Sequence, residues 1–360
     1  FCQAQNWSGV VASSRAIDWS NVGIPGGIPN RTTICATLNP GASTGQINSA
    51  IASCPSGQVV KLNAGTYNVS GIDFANHSNV TLRGAGPDQT FLVFSGNASC
   101  GGVQADVCIM GDSAYPGSGR EHSANWTAGY AKGATQLTFS STSGMSVGSI
   151  LVLDQQDDSN TDTGTIWVCQ TGGVCADEAP SGSGRAGRVQ EQWVRVTGIS
   201  GSTVTVSPGI YMPNGRSSQT PGAWWVDSNI KMSGIEDMSL DHSPSGGSSG
   251  IGFFNAYNCW VKNVRSLNSN RNHVWLWSAA GNIVRDSYFY GTKNAQSQSY
   301  GVESYMGGDN LVENNIFQHI VAPLMVNGSA SGSVYGYNYS LDDYYTSSPS
   351  TMMGQIWLHA

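Results

Sequence analysis

Hydrophobic positions in the second half of the chain fall into short runs that alternate with polar residues. Alternation with a period of two predicts β-strands whose side chains point to opposite faces. The segments CWVKNV, NIVRDS, NLVENN and SVYGYN begin at residues 259, 282, 310 and 333, and an earlier copy, SGIEDM, begins at residue 233. A second apolar strand follows each copy: GIGFF, HVWLW, YGVESY, APLMV and GQIWLH. A period of about 20 to 30 residues with strands and no helices predicts a β-solenoid rather than an antiparallel sandwich.

One polar position recurs in the repeat. Asp237, Asn263, Asp286 and Asn314 occupy the same place in successive copies. Asn and Asp favour turns, so we expect a stacked turn whose side chains form hydrogen bonds along the ladder.

The strand NHVWLW, residues 272–277, is apolar on both faces. Neighbouring coils of a solenoid lie about 4.8 Å apart, so aligned strands stack their side chains into columns. The alignment predicts two inward columns: Ile251, Val274, Val302, Leu324 and Ile356, then Phe253, Leu276, Ser304, Val326 and Leu358. It predicts two outward columns: Gly252, Trp275, Glu303, Met325 and Trp357, then Phe254, Trp277, Tyr305, Asn327 and His359.

The outward columns predict an aromatic face, formed by Phe254, Trp275, Trp277, Tyr305, Met325 and Trp357. Three interpretations remain open at this point. The face binds carbohydrate, it contacts another subunit, or the inserted domain or a long loop of the same chain covers it.

Two other regions depart from the repeat. In STGQINSAIASC, the residues Ile47, Ala50, Ile51 and Cys54 have helical spacing, with Ser43 or Thr44 as the N-cap. Residues 126–226 alternate by twos and include a hairpin at Ser200 to Ser202, which predicts an inserted antiparallel β subdomain. We therefore divide the chain into an arm (1–33), a capping helix with the first coils (34–125), the insertion (126–226) and further coils (227–360).

The run GASTGQINSAIASCPSGQVVKLNAGTYNVSGIDFANHSNVTLRGAG resembles the amino-terminal signature of the pectate lyase-like right-handed parallel β-helix superfamily. The resemblance rests on the capping helix, the G-x-VV-x-L strand, the AGTY turn and the NVTLRGAG coil. It implies an all-β, right-handed parallel β-helix over about two-thirds of the chain. It says little about function, because the superfamily contains lyases, hydrolases, phage tailspikes and non-enzymes.

Composition and charge narrow the classes of partner. Only 11% of the residues are charged and the formal net charge is −7, which argues against nucleic acid and against anionic membranes. No apolar run approaches the roughly 20 residues that span a bilayer. The chain begins with Phe1 and shows no signal peptide, so we interpret it as a mature, secreted protein.

The cysteines and sequons agree with an extracellular protein. Close spacing predicts local disulfides for Cys35 with Cys54, Cys100 with Cys108, and Cys169 with Cys175. Cys2 and Cys259 are left to pair with each other, to pair between chains, or to remain free. Nine Asn-X-Ser/Thr sequons are candidate glycosylation sites: Asn6, Asn30, Asn68, Asn76, Asn79, Asn97, Asn125, Asn327 and Asn338.

Candidate catalytic residues are sparse. Glu303 is the carboxylate of the aromatic face and the leading acid/base if the chain is an enzyme, and Arg271, His273, Asp241 and Asp343 are candidate helpers. Hydrolysis of a glycosidic bond needs two carboxylates about 5 to 9.5 Å apart, and no second acid appears in these columns. We expect no cofactor and no bound metal. The acidic loop from Asp154 to Asp162 is the place for a calcium ion, but a solvated loop fits its spacing better.

Two classes of function follow. The first is a non-catalytic extracellular glycoprotein that associates with itself, with a filament as one form of the assembly. The association uses the aromatic face, the arm or the last strand, GQIWLH, which has no polar cap. The arm either wraps its own coil or adds a strand to a neighbour. The second class is a lyase or hydrolase that acts on an acidic polysaccharide, or a carbohydrate-binding β-helix. The sequence alone favours the first class narrowly.

Overall fold

The computed structural model describes Ala12 and residues 19–111, 121–156, 169–170, 174–175, 185, 188, 190–213, 215–294, 298–344 and 356–359. Over these residues the chain winds into a right-handed parallel β-helix, as the sequence predicts. Among them, no helix is long and apolar enough to cross a bilayer.

Two parallel sheets form the walls of the coil. The seven-stranded sheet contains Ile72–Asp73, Ala105–Met110, Ser249–Phe254, Asn272–Trp277, Tyr300–Gly308, Ala322–Ser331 and Ile356–His359. The thirteen-stranded sheet contains Ile34–Leu38, Gln58–Leu62, Gly65–Val69, Val80–Arg83, Thr90–Phe94, Gly234–Asp241, Trp260–Ser269, Ile283–Arg285, Tyr288–Thr292, Leu311–Glu313, Ile316–Gln318, Val334–Gly336 and Tyr339–Leu341. A short parallel pair, Ile230–Lys231 with Ala256–Tyr257, lies at one corner.

The thirteen-stranded sheet bends at the recurring polar position. Asp237, Asn263, Asp286 and Asn314 all have left-handed backbone, with φ between 50° and 59°. Asn and Asp adopt this conformation more readily than other non-glycine residues. The Nδ2 of Asn263 donates to Asp237 at 2.7 Å, and the Nδ2 of Asn314 donates to Asp286 at 2.7 Å. The predicted stacked turn is therefore confirmed.

One helix, Thr44–Ser53, closes the amino-terminal end of the coil. Ser43 is the N-cap: its Oγ accepts from the backbone of Gln46, whose side chain accepts from the backbone of Ser43 in return. Ile47 and Ile51 are fully buried over the first coil. Two further predictions are confirmed, because Cys35 is bonded to Cys54 beside this helix and Cys100 is bonded to Cys108.

The other cysteines have different outcomes. Cys259 is a free, buried thiol, and burial raises its pKa to about 12. Cys169 and Cys175 face each other across the two-stranded pair Cys169–Gln170 and Val174–Cys175, and their bond stays a prediction. Cys2 lies outside the described residues.

The insertion is a closed antiparallel barrel. Its strands are Glu121–Ala128, Gln136–Phe139, Ile150–Gln155, Gln190–Ser200, Thr203–Ser207 and Gly222–Val226. The predicted hairpin joins Gln190–Ser200 to Thr203–Ser207, and the barrel begins at Glu121, before the predicted boundary at residue 126. Short 3₁₀ turns occur at Trp19–Asn21, Cys100–Gly102 and Ser217–Gln219.

The barrel docks on the coil through apolar side chains outside its own core. Trp193 and Trp224 cluster with Ala280 and Tyr257 at a corner of the coil. The Tyr211 hydroxyl donates to Asp309 at 2.9 Å.

The described part of the arm, residues 19–33, packs on its own coil. Ile24 clusters with Trp260 and Ile283, and the backbone nitrogen of Gly23 donates to the carbonyl of Asp309 at 2.7 Å. The guanidinium of Arg31 lies 5.1 Å from the ring centre of Trp260. For these residues, the contacts favour the alternative that the arm wraps its own coil.

Candidate functional site

The outward columns stack as the alignment predicts. Trp275 is registered with Gly252 before it and Glu303 after it, and Met325 and Trp357 continue the column. The second column runs through Phe254, Trp277, Tyr305, Asn327 and His359 in the same way. Residues distant in sequence thus become neighbours on the outer side of the seven-stranded sheet.

The aromatic face is not an open surface. Phe254, Trp275, Tyr305 and Met325 are buried, and only Trp277 among the described members is half-buried. Trp275 and Tyr305 cluster with Val103, Ala105 and the Cys100–Cys108 disulfide. Of the three interpretations that the sequence leaves open, the packing supports the one in which a loop of the same chain covers the face.

Glu303 is the centre of a polar cluster on this face. Its carboxylate is fully buried and accepts from Arg271 at 2.8 Å. The side-chain nitrogens of Asn272 and Asn327 also donate to it, each at 2.6 Å. The structure brings two of the candidate residues, Glu303 and Arg271, together, and it adds two amides that sequence reasoning did not assign to the site.

The same geometry corrects one glycosylation candidate. Asn327 is 1% exposed and its amide nitrogen is held by Glu303, so a glycan on this atom is incompatible with the folded chain. Asn338 is half-buried and its amide nitrogen donates to the carbonyl of Val312. Asn30, Asn68, Asn76 and Asn125 are exposed, Asn79 and Asn97 are half-buried, and Asn6 lies outside the described residues. Glycosylation at these positions stays a prediction.

Arg271 lies between two aromatic rings. Its guanidinium carbon is 4.6 Å from the ring centre of Trp275 and 5.4 Å from that of Tyr300. Trp275 in turn stacks on Trp277, with ring centres 4.7 Å apart. Cation–π contact and the ion pair with Glu303 fix the guanidinium at this place.

Three buried polar atoms beside this arginine have no hydrogen-bond partner within the described structure. They are Nε of Arg271, Oδ1 of Asn272 and Nε1 of Trp275. Buried polar atoms are nearly always satisfied, so each unsatisfied one calls for a physical explanation such as a ligand or a water molecule. Two donors and one acceptor on neighbouring side chains suit hydroxyl groups, which both donate and accept.

The other candidate helpers lie elsewhere. Asp241 ends a strand of the thirteen-stranded sheet and accepts from the backbone and hydroxyl of Ser243 in a local turn. Asp343 follows the last strand of that sheet and accepts from Ser340 at 3.0 Å, and burial raises its pKa. Neither carboxylate belongs to the cluster around Glu303.

His273 belongs to a buried hydrogen-bond chain beneath the site. Asp106 contacts Nδ1 of His242 at 2.7 Å, Nε2 of His242 contacts Ser266 at 3.0 Å, and Ser266 contacts Nδ1 of His273 at 2.7 Å. Nε2 of His273 lies 2.7 Å from the carbonyl of Gly291. Sequence reasoning missed Asp106 and Ser266, because an isolated polar residue in a strand gives no periodic signal.

The positions of the hydrogens in this series of hydrogen bonds follow from its last acceptor, the carbonyl of Gly291. A carbonyl only accepts, so Nε2 of His273 carries a hydrogen. Burial lowers the pKa of His273 to about 3, so its ring is neutral at pH 7 and Nδ1 accepts from Ser266. Because the Ser266 hydroxyl has only one hydrogen to donate and donates it to His273, Nε2 of His242 must donate to Ser266. The hydrogen bonds therefore run in one direction, from Nε2 of His242 through Ser266 and His273 to the carbonyl of Gly291.

Asp154 forms ion pairs within the barrel and has a structural role there. It is fully buried in a barrel strand and pairs with Arg185 at 2.5 Å and with Arg188 at 2.8 Å. Two guanidinium groups already neutralise this carboxylate, which removes it from the predicted calcium loop. The rest of that loop, apart from residues 155 and 156, lies outside the described residues.

An open groove of about 510 Å³ runs along the bend of the thirteen-stranded sheet. It is lined by Pro87, Asp88, Asn263, Val264, Arg265, Asp286, Ser287, Tyr288, Asn314 and Ile316. Sequence reasoning located the stacked turn of this groove but not its walls. Aligning the first strands of the repeat by the same method would have placed Arg265, Tyr288 and Ile316 in one outward column.

No family model matches the chain, and no curated protein matches its sequence. Solved structures do match. The tailspike protein gp49 from Pseudomonas phage LKA1 is 13% identical with a TM-score of 0.56, over 82% of this chain and 46% of that one. The tailspike gp61 of Pseudomonas phage phi297 is 14% identical with a TM-score of 0.48, over 82% and 41%.

An alginate lyase from Paenibacillus sp. str. FPU-7 is 11% identical with a TM-score of 0.35, over 89% of this chain and 80% of that one. The chain spans less than half the length of the two tailspikes. At such identities the likeness concerns the fold alone. The chain has a right-handed parallel β-helix fold, so the fold that the sequence resemblance implied is confirmed.

Proposed function

We propose that this chain is a β-helix that binds a polysaccharide on the outer side of its seven-stranded sheet, at Arg271, Asn272 and Trp275. The observation that carries the proposal is the set of three buried, unpartnered polar atoms around the arginine. All three atoms are shielded from solvent in the free protein, so binding requires the loop that covers Trp275 to move aside. A sugar hydroxyl then donates to Oδ1 of Asn272, and other hydroxyl oxygens accept from Nε of Arg271 and Nε1 of Trp275. Saccharide binding thus supplies the missing hydrogen bonds.

Glu303 serves this site as an anchor. Three donors from Arg271, Asn272 and Asn327 converge on its carboxylate. A general acid or base must exchange a proton with the substrate. The carboxylate oxygens of Glu303 instead accept hydrogen bonds from neighbouring side chains. We therefore place Glu303 as the residue that positions Arg271, in contrast to the acid/base role expected from the sequence.

Self-association, favoured from the sequence, becomes the second proposal. Two of its three contact regions, the aromatic face and residues 19–33, are used within the chain. Secretion is part of both proposals, since two disulfide bonds fit an oxidising compartment outside the cytosol.

Affinity electrophoresis through gels that contain polygalacturonate or alginate tests the binding proposal. We expect at least one polymer to retard the protein, and Arg271→Ala to weaken this retardation at least tenfold. Trp275→Phe keeps a ring but loses Nε1, and should weaken binding several-fold. Arg195→Ala, which removes an exposed arginine of the barrel, is the matched control.

Two results would contradict the proposal: no retardation by either polymer, or equal effects of Arg271→Ala and Arg195→Ala. Circular dichroism establishes that each variant is folded. Depolymerisation of the same polymers by the wild type, abolished in a Glu303→Gln variant that still binds, would return Glu303 to the acid/base role.

A further inference from the structure

The bend of the thirteen-stranded sheet offers a second surface, separate from the site around Arg271. Its floor is the stacked turn of Asn263, Asp286 and Asn314, with hydrogen-bonding side chains presented once per coil. One end is bounded by the loop of Pro87 and Asp88, which Arg265 holds by hydrogen bonds of 2.9 and 2.7 Å. The volume of about 510 Å³ lies within the usual range of about 300 to 1,000 Å³ for ligand pockets.

One wall of the groove is a column of rings and apolar side chains. Arg265 is registered with Tyr288, Tyr288 with Ile316, and Ile316 with Tyr339. Ile316 is 46% exposed and Tyr339 is 60% exposed. Tyr337 follows Asn314 in the left-handed row and is 91% exposed. Adjacent exposed apolar side chains of this kind usually mark a binding surface.

The charges of the groove are balanced internally. Arg265 pairs with Asp88 at 2.7 Å, and Arg285 pairs with Asp286 at 2.8 Å and with Glu313 at 3.1 Å. Both of these arginines therefore already face a carboxylate. An anionic polymer would have to displace these carboxylates, whereas a neutral ligand would not.

We propose that this groove binds a neutral polysaccharide chain that lies along the axis of the coil. Sugar rings pack their C–H faces on Tyr288, Ile316 and Tyr339, as aromatic and apolar surfaces allow. Hydroxyl groups exchange hydrogen bonds with the amides and carboxylate of the floor. Because coils repeat about every 4.8 Å, an extended polymer meets an equivalent contact on each coil. This proposal does not depend on the site around Arg271.

Affinity electrophoresis through gels of hydroxyethyl cellulose, galactomannan, dextran or mixed-linkage β-glucan tests the inference. At least one of these neutral polymers should retard the wild type, with little change between low and high salt. Ile316→Asp and Tyr339→Ala should each weaken the retardation at least tenfold. Ile199→Asp is the matched control, because Ile199 is a similarly exposed isoleucine on a barrel strand.

Trp275→Phe separates the two sites, since it should leave binding of the neutral polymer unchanged. The inference is overturned if none of the four polymers retards the protein, or if Ile316→Asp and Ile199→Asp behave alike. Sedimentation provides a further test. Should Ile316→Asp convert an oligomer into a monomer, the groove is an interface between copies of this chain, and the polysaccharide assignment is wrong.

Discussion

Two buried ionisable side chains give the protein opposing dependences on pH. Burial lowers the pKa of His273 to about 3, so its contribution to stability is full above about 6.5 and is lost as the pH falls toward 3. Burial raises the pKa of Asp309 to about 7 from 3.8. Its contribution is full below 3.8 and is lost as the pH rises through 7. Between pH 3.8 and about 6.5, a rise in pH increases the contribution of His273 to stability and decreases that of Asp309.

The variant Asp309→Asn should reveal how much Asp309 contributes to the pH dependence of stability. It keeps an oxygen for the Tyr211 hydroxyl, which donates to Asp309 at 2.9 Å, but cannot ionise. We expect the variant to gain stability over the wild type as the pH rises from 4 to 8, by about 4 kcal/mol at most. Urea unfolding at several pH values measures the difference. A difference that does not change with pH would show that Asp309 is already ionised at pH 4 in the folded protein.

At the residue scale, the sequence predicted which side chains stack on neighbouring coils better than it predicted which side chains are buried. The neighbours of Trp275 and Glu303 in the seven-stranded sheet follow from period-two alternation, and the structure confirms them. The loop that covers these side chains does not follow from the alternation, because the Cys100–Cys108 loop reaches Trp275 through tertiary packing that no strand pattern encodes. The same limit hid the groove, where Arg265 meets Asp88 across 177 residues of sequence.

At the scale of elements, the bend of the thirteen-stranded sheet depends on left-handed backbone at single residues. Asn263 has φ of 50° and donates to Asp237. Replacing it with alanine loses the hydrogen bond and places a β-carbon in an unfavourable conformation. Replacing it with glycine loses only the hydrogen bond. We expect Asn263→Ala to be less stable than Asn263→Gly by roughly 1 kcal/mol in urea unfolding.

Asn48 provides the control for this pair, because it lies inside the helix Thr44–Ser53. Its side chain bonds Gly71 and Asp73, and both substitutions lose these contacts equally. In a helix interior, glycine is less favourable than alanine by about 1 kcal/mol. The order of the two variants should therefore reverse at Asn48. The same order at both positions would mean that backbone conformation does not determine the effect.

At the scale of the whole molecule, the barrel is a closed unit that sits on the coil through its outer surface. Trp193 is 3% exposed and belongs to the cluster that includes Ala280 of the coil, whereas Trp225 belongs to the core of the barrel. Because the two tryptophans serve different interfaces, truncating each should have a different consequence. The comparison therefore separates docking of the barrel from folding of the barrel.

Trp193→Ala should weaken docking by about 3 kcal/mol, since truncating a buried tryptophan leaves a cavity. In calorimetry we expect one unfolding transition to divide into two, because the barrel keeps its own core and the coil keeps its own ladder. Trp225→Ala should instead unfold the barrel at a lower temperature and leave the transition of the coil in place. If Trp193→Ala lowers a single transition without dividing it, the two parts unfold together through contacts other than this cluster. The tie between Tyr211 and Asp309 would then be the next contact to remove.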